Sequence, residues 1–278
     1  FRHVKYLSVF FVHTLVVSIY TNLDQTMLGF LIDTKSVAFM NRSRTVVSMA
    51  IAVSTSISNV TLPRAAYYMK NDKKKFRELM GKVPNFILWI TIPITVGCIC
   101  LATNIMYILG GVEFLESANV LRIVSLAIVF SPLSAYLQSQ VLVASGKEKI
   151  GLGCAVITSF ISLILNIILI PKIGVLGSAI VQVVSEISAV LTRLYITKKR
   201  LGYDEINFIN KSSVSYILAA LFMGVVVIYI TNLIENVFLS FIIGSIIGAS
   251  IYFLILIFIK ESTMRLILDK AKQKLVRR

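Results

Sequence analysis

Charge is scarce in this chain, and acidic charge most of all. Of 278 residues only 15% are charged, with 13 Asp and Glu against 28 Lys and Arg, whereas soluble domains carry about 25%. Three cysteines, two histidines and one tryptophan complete the short supply. Cys98, Cys100 and Cys154 all fall inside apolar runs, which makes them small packed hydrophobes and excludes a disulfide framework or a thiolate metal site. His3 and His13 are too few and too isolated to change that. Short alternating strands are missing as well, which excludes a membrane barrel.

What is abundant is hydrocarbon. Hydrophobic residues make up 57% of the chain and the mean hydropathy is +0.86. Apolar runs of about 20 residues, the length needed to cross a bilayer, recur along it. The fold class expected is an all-α membrane protein of about eight transmembrane helices. The spans are approximately 6–32, 37–62, 86–109, 120–143, 150–170, 175–196, 214–233 and 237–259. Pro63 is expected to close the second, and the basic stretch 64–82 to form an interfacial helix. The fifth and sixth, separated only by Pro171-Lys-Ile-Gly174, must form an antiparallel hairpin. Pro93 and Pro132 predict kinks inside the third and fourth.

The formal net charge of +15 invites a nucleic-acid partner, but the basic residues sit at intervals between apolar spans. Their spacing is topological. Placing the amino terminus, 64–82, Lys147 and Lys149, 198–211 and the tail on one side leaves only Lys35 and Lys172 opposite, so both termini are expected in the cytoplasm. The chain opens on Phe1 without a signal peptide, and more sequence is expected ahead of it.

Against this apolar background a few polar residues stand out. Asp24 interrupts the first span, and Asn41, Arg42 and Arg44 open the second. An ionisable group in mid-membrane costs about 2.5–3.5 kcal/mol on insertion scales and so faces a bundle interior or a wet cavity. Arg42 and Arg44 lie about 200° apart on a helix, so only one can point fully inward. Arg44 shares its face with Ser48 and Thr55. A buried guanidinium suits a phosphate, because its planar fork donates two parallel hydrogen bonds and stays charged. Arg122 and Arg193, near helix ends, read as interfacial anchors.

In the sixth span Ser178, Gln182 and Glu186 recur every four residues as one polar stripe, and Ser162 and Asn166 do the same in the fifth. Such stripes face protein or water, and helix-to-helix hydrogen bonding alone would explain each. Together with Asp24 they also supply the oxygen ligands a hard cation prefers. A proton on Asp24 or Glu186 would serve equally well, so Na+ and H+ both stay open as coupling ion.

The stretch Leu23-Asp-Gln-Thr-Met-Leu-Gly29, then Val37-Ala-Phe-Met-Asn-Arg-Ser-Arg44 and Asn59-Val-Thr-Leu-Pro-Arg64, resembles the start of the carboxy-terminal lobe of polysaccharide flippases. Asn166-Ile-Ile-Leu-Ile-Pro-Lys-Ile-Gly-Val-Leu-Gly-Ser-Ala-Ile180 is similar to that family's Asn-x-x-Leu-Ile-Pro-x-x-Gly-x-x-Gly-Ala-Ala hairpin. These are Wzx-type flippases of lipid-linked oligosaccharides, in the superfamily that also holds multidrug/cation antiporters and the peptidoglycan-precursor flippase.

The resemblance implies a two-lobed MATE-like transporter, of which residues 1–197 would be the six-helix carboxy-terminal lobe and 198–278 two trailing helices with a basic cytoplasmic tail. It implies flipping of undecaprenyl-pyrophosphate oligosaccharide repeat units, for O-antigen or capsule, across the bacterial cytoplasmic membrane. No enzymatic step and no cofactor beyond the coupling ion are implied. Arg44, Arg42, Asn41 and Glu186 would meet the substrate, and Asp24, Ser162, Asn166, Ser178 and Gln182 the coupling cation. Its partners would be the lipid-linked glycan, the bilayer, the amino-terminal lobe of the same protein and a polysaccharide polymerase, with no nucleic acid.

A multidrug/cation antiporter is the alternative, which Asp24 and Glu186 support and Arg44 opposes. A membrane-embedded glycosyltransferase or polymerase is disfavoured, since the loops are short and hold no paired-carboxylate motif.

Overall fold

The computed structural model describes residues 4–265, and the basic tail expected at 266–278 lies outside them. Every regular element among the described residues is helical, as hydrocarbon demands of a chain that must satisfy its backbone locally. In order these are α1 (Val4–Leu31), α2 (Thr34–Asn71), α3 (Lys73–Cys100), α4 (Ala102–Gly110), α5 (Ser117–Val124), α6 (Ala127–Tyr136), α7 (Glu148–Leu201), α8 (Lys211–Leu233) and α9 (Val237–Phe258). A 3₁₀ turn at Val112–Phe114 precedes α5, and α6 runs on into a π-helical stretch, Leu137–Val143.

Among the described residues, five helical stretches are long and apolar enough by themselves to cross a membrane. Thr34–Ser56 with Val60–Asn71 makes a sixth if the two count as one span. The expected count of eight is therefore not recovered by length and composition alone. One of the five, Glu148–Leu201, is 54 residues long and breaks at Ile173 and Gly174. Gly174 takes φ +58, a conformation open to glycine at little cost.

The chain folds back there, because Gln138 meets both arms. Its side-chain amide lies against Gly151 of the first, and its Oε1 accepts from Arg193 Nε of the second at 3.2 Å. The expected hairpin is present. At its turn, a Cβ on Gly177 would stand 2.6 Å from the Leu169 carbonyl oxygen, so only glycine allows the arms to close.

Three expectations need correction. Pro63 does not end the second helix. It lies inside α2, which continues to Asn71 with a 42° bend between Thr34–Ser56 and Val60–Asn71, as a proline bends a helix when neighbours re-satisfy the freed carbonyl. The stretch 64–82 is not a separate interfacial helix, because Asp72 splits it between two elements. Its backbone N–H bonds the Tyr68 carbonyl at the end of α2, while its carboxylate accepts from Lys75 N at 3.0 Å and caps α3. Arg193 is not an interfacial anchor. It is 5% exposed and donates to Ser134 Oγ at 2.6 Å as well as to Gln138.

Two cores organise the packing. Leu28, Met40, Val47, Met106, Leu121 and Ile170 join α1, α2, α4, α5 and the first arm of α7. Met80, Ile87, Tyr136, Tyr216, Met223 and Tyr252 join α3, α6, α8 and α9, so the trailing pair shares a core with the helices before it. The buried tyrosines satisfy their hydroxyls on Met80 O, Glu261 and Trp89 O. Phe30, Val225 and Phe258, by contrast, are exposed on the outside, as side chains bathed in lipid would be.

Candidate functional site

The first core holds α1 and α2 side by side, and this brings Asp24 to Arg44. Asp24 is 3% exposed. Its Oδ2 accepts from Arg44 Nη2 and, at 2.6 Å, from Ser178 Oγ on the second arm of α7. Arg44 Nε donates in turn to Gln182 Oε1 at 3.0 Å. One turn of helix separates Ser178 from Gln182, so the polar stripe seen in the sequence grips both ends of the ion pair. A charge this deep is tolerated only when paired and hydrogen-bonded, and both conditions are met.

Beside this pair lies a cavity of about 280 Å³. Asn22, Asp24, Gln25, Arg44, Ser48, Ser162, Asn166, Gln182, Ser185 and Glu186 supply its polar wall, and Val47, Ile51 and Val181 the rest. The first arm of α7 contributes Asn166, whose Nδ2 reaches Ser162 Oγ at 3.4 Å. Its Oδ1, and the Ser185 hydroxyl, are buried and meet no hydrogen-bond partner among the described residues.

The structure therefore gathers Asp24, Arg44, Ser162, Asn166, Gln182 and Glu186 around one hollow, with Ser178 bonded to Asp24 at its edge. Asn41 and Arg42 do not join them. Both are exposed, the Asn41 carbonyl accepts from Thr45, and the Arg42 guanidinium stands 5.9 Å from the centre of the Phe114 ring. The half-turn between Arg42 and Arg44 that the helix imposes accounts for the difference.

Some functional candidates escaped the sequence. Ser185 lies off the four-residue stripe, although it sits three residues beyond Gln182 on nearly the same face. Behind the cavity, Glu186 bonds Ser131 and feels the charge of Arg193, which is itself held by Ser134 and Gln138. Those three polar residues of α6 and the π-helical stretch recur at intervals of three and four, and that spacing was the available signal.

The opposite side of α2 is apolar. Val46 and Met49, together with Trp89, Pro93, Met223, Gly244 and Gly248, border a cleft of about 630 Å³ between α2, α3, α8 and α9. Val47 and Ser48, between them in sequence, border the polar cavity, so α2 is the partition between two compartments of opposite character.

Comparison with known proteins agrees with this architecture. The family described as lipid II flippase MurJ matches residues 2–248. A solved structure of the lipid II flippase MurJ in an inward closed conformation superposes with a TM-score of 0.78 at 26% identity, covering 90% of this chain and 52% of that one. The capsular polysaccharide biosynthesis protein CapF of Staphylococcus aureus is 29% identical over 145 residues, 52% of this chain and 36% of CapF. The probable low-salt glycan biosynthesis flippase Agl15 of Haloferax volcanii is 21% identical over 237 residues, 84% of this chain and 50% of Agl15. An uncharacterized membrane protein of Methanocaldococcus jannaschii, MJ1068, is 28% identical over 200 residues, 72% of this chain and 39% of that protein. The chain thus spans between 36% and 52% of the length of these proteins.

Proposed function

The chain belongs to the lipid II flippase MurJ family, and from that premise we propose that it serves a flippase moving polyprenyl-pyrophosphate-linked oligosaccharides across the cytoplasmic membrane. The carrier expected from the sequence is undecaprenyl pyrophosphate, and the product a surface polysaccharide repeat unit. The observation that carries this reading is Arg44, a guanidinium held at the wall of a polar cavity by Asp24 and Gln182. A glycan pyrophosphate cannot cross hydrocarbon unaided. A cationic fork inside the bundle offers it charge and directional donors on the way.

The two compartments divided by α2 fit the two halves of such a substrate. The headgroup would enter the polar cavity while the prenyl tail stays in the apolar cleft on the other face. A coupling Na+ or H+ would bias the transporter only through unequal affinity for its two states, and Asp24, Ser162, Asn166, Ser178 and Gln182 remain its proposed seat. Asn41 and Arg42, outside the cavity, take no part in this reading. The antiporter alternative is weaker, because Arg44 already engages the Asp24 carboxylate that a lipophilic cation would need.

The test is complementation of a strain lacking its repeat-unit flippase with the full-length gene. Wild type should restore surface glycan and Arg44→Ala should not. Full restoration by Arg44→Ala removes the proposed headgroup contact. A change in drug susceptibility on deletion, without loss of surface glycan, would favour the antiporter.

A further inference from the structure

A phosphate that came to Arg44 would find the guanidinium already engaged. Nη2 donates to Asp24 Oδ2 and Nε to Gln182 Oε1. Both parallel donor pairs of a guanidinium, the one at its side and the one at its end, include the nitrogen that Asp24 holds. A pyrophosphate taking either pair competes with Asp24 for it, and sets a second negative charge beside the carboxylate.

Asp24 depends on that contact. It is 3% exposed, and its other donors are the Gln25 backbone N–H at 2.9 Å and the Ser178 hydroxyl at 2.6 Å, both neutral. A buried carboxylate that loses its counter-ion is strongly unfavourable, so a positive charge must take the place of the guanidinium. The surroundings supply none. Glu186, on the second arm of α7, is the other charged side chain of the hollow, and Arg193 behind it is held by Ser134 and Gln138. Among the described residues no further charged side chain lines the cavity. Departure of the guanidinium frees Gln182 Oε1 together with Asp24 Oδ2, two oxygens within bonding distance of the same group, and a hard cation prefers such ligands.

We propose that Arg44 is the built-in occupant of the coupling-cation seat, and that a pyrophosphate headgroup, by drawing it off Asp24, opens that seat to a sodium ion or a proton. The headgroup contact rests on the function proposed above. The rivalry between Arg44 and a cation rests on the ion pair itself. Substrate and cation then strengthen each other's binding by the same factor, as linkage requires. Without substrate the guanidinium closes the seat, which prevents ions from leaking through an unloaded transporter.

The experiment uses the full-length protein in nanodiscs, with geranyl pyrophosphate as the headgroup probe. Sodium affinity is measured by titration calorimetry with and without the probe. Proton uptake on adding the probe is read with a pH dye in sodium-free choline buffer at about pH 8, where the pyrophosphate is itself ionised. The probe should raise sodium affinity about tenfold or more, or draw in a proton where sodium has no effect. Asp24→Asn, which keeps the shape and removes the charge, should bind the probe more tightly than wild type and show neither response. Arg44→Met leaves the seat open, so without any probe it should bind sodium about tenfold or more tightly than wild type does. Its melting temperature should rise with sodium, or with acidification if the ion is a proton. Where Arg44→Met fails to fold, wild type and Asp24→Asn decide alone.

Unchanged sodium affinity and proton balance in wild type that binds the probe overturn the proposal, since the phosphate then joins the ion pair without opening it. A response that persists in Asp24→Asn also overturns it, by placing the cation elsewhere. Probe binding that is absent from wild type, or undiminished in Arg44→Met, sinks the headgroup contact instead, while the sodium and acid responses of Arg44→Met still judge whether the guanidinium occupies the seat.

Discussion

Arg44 and Ser178 donate to the same oxygen of Asp24, so α1, α2 and the second arm of α7 converge on one carboxylate. Asp24 is 3% exposed and the Arg44 side chain 19%, which leaves little water to take over if one partner is removed. Breaking a buried pair from one side typically costs about 3–5 kcal/mol, whereas replacing both partners by apolar groups is often nearly neutral. Asp24→Leu and Arg44→Met should each lower the melting temperature of the purified protein. The double variant should recover most of the loss yet fail to restore surface glycan. A double variant that is as unstable as the sum of the singles would mean that the two residues do not act as a pair.

The junction of the α7 hairpin with α6 makes a second prediction. A Cβ on Gly151 would collide with the Gln138 amide, whose oxygen accepts from Arg193. Gly151→Ala should therefore push Gln138 aside and cost about 1.5–3 kcal/mol, the range for a hydrogen bond to a charged group. Adding Gln138→Ala to Gly151→Ala should cost little more, since the bond is already gone. Gly177→Ala should be worse than Gly151→Ala, because its Cβ meets backbone at Leu169 O, which cannot swing away as a glutamine side chain can. Thermal melting of the four proteins checks the order.

Asp72 provides a pH-dependent joint between α2 and α3. The backbone N–H of Lys75 holds its carboxyl below the ordinary value of 3.8, with further help from the Lys75 side chain. A group whose pKa is depressed by folding contributes stability above its unfolded value and loses it as pH falls through the folded one. Melting temperature should thus be flat in this contribution down to about pH 4 and decline below it. Asp72→Asn, which still caps, should remove that decline while leaving α3 intact.

Much of this was legible from the amino-acid sequence, and for identifiable reasons. Asp24, Arg44, Gln182 and Asn166 were visible because hydrocarbon makes a polar residue expensive, and helical periodicity says which of them share a face. Arg193 misled because proximity to a helix end suggests snorkelling. Its burial depends on Ser134 and Gln138, which arrive from another part of the chain. Pro63 misled for a similar reason, since whether a proline ends or bends a helix is decided by neighbours that can satisfy the freed carbonyl. The pairing of Arg44 with Asp24 was hidden too. Periodicity gives the face of each helix but not which faces meet, and that depends on the core between α1 and α2.

The apolar cleft tests the division of labour across α2. Ala249 lines it alongside Gly248, and a Cβ on Gly248 would already stand 2.8 Å from Val227 Cγ2, so volume must be added at the more open position. Ala249→Phe would fill space that a prenyl tail should occupy. Excluding two methylenes from apolar contact forfeits about 1.6 kcal/mol at about 0.8 kcal/mol each, or slightly more than tenfold in affinity. Transport of a full-length undecaprenyl-linked substrate in proteoliposomes should fall by about that factor, with melting temperature unchanged. A carrier analogue with a chain of only two isoprene units should be spared, because it does not reach the filled volume. Equal losses for long and short carriers would place the tail outside the cleft and leave α2 a partition with substrate on one side only.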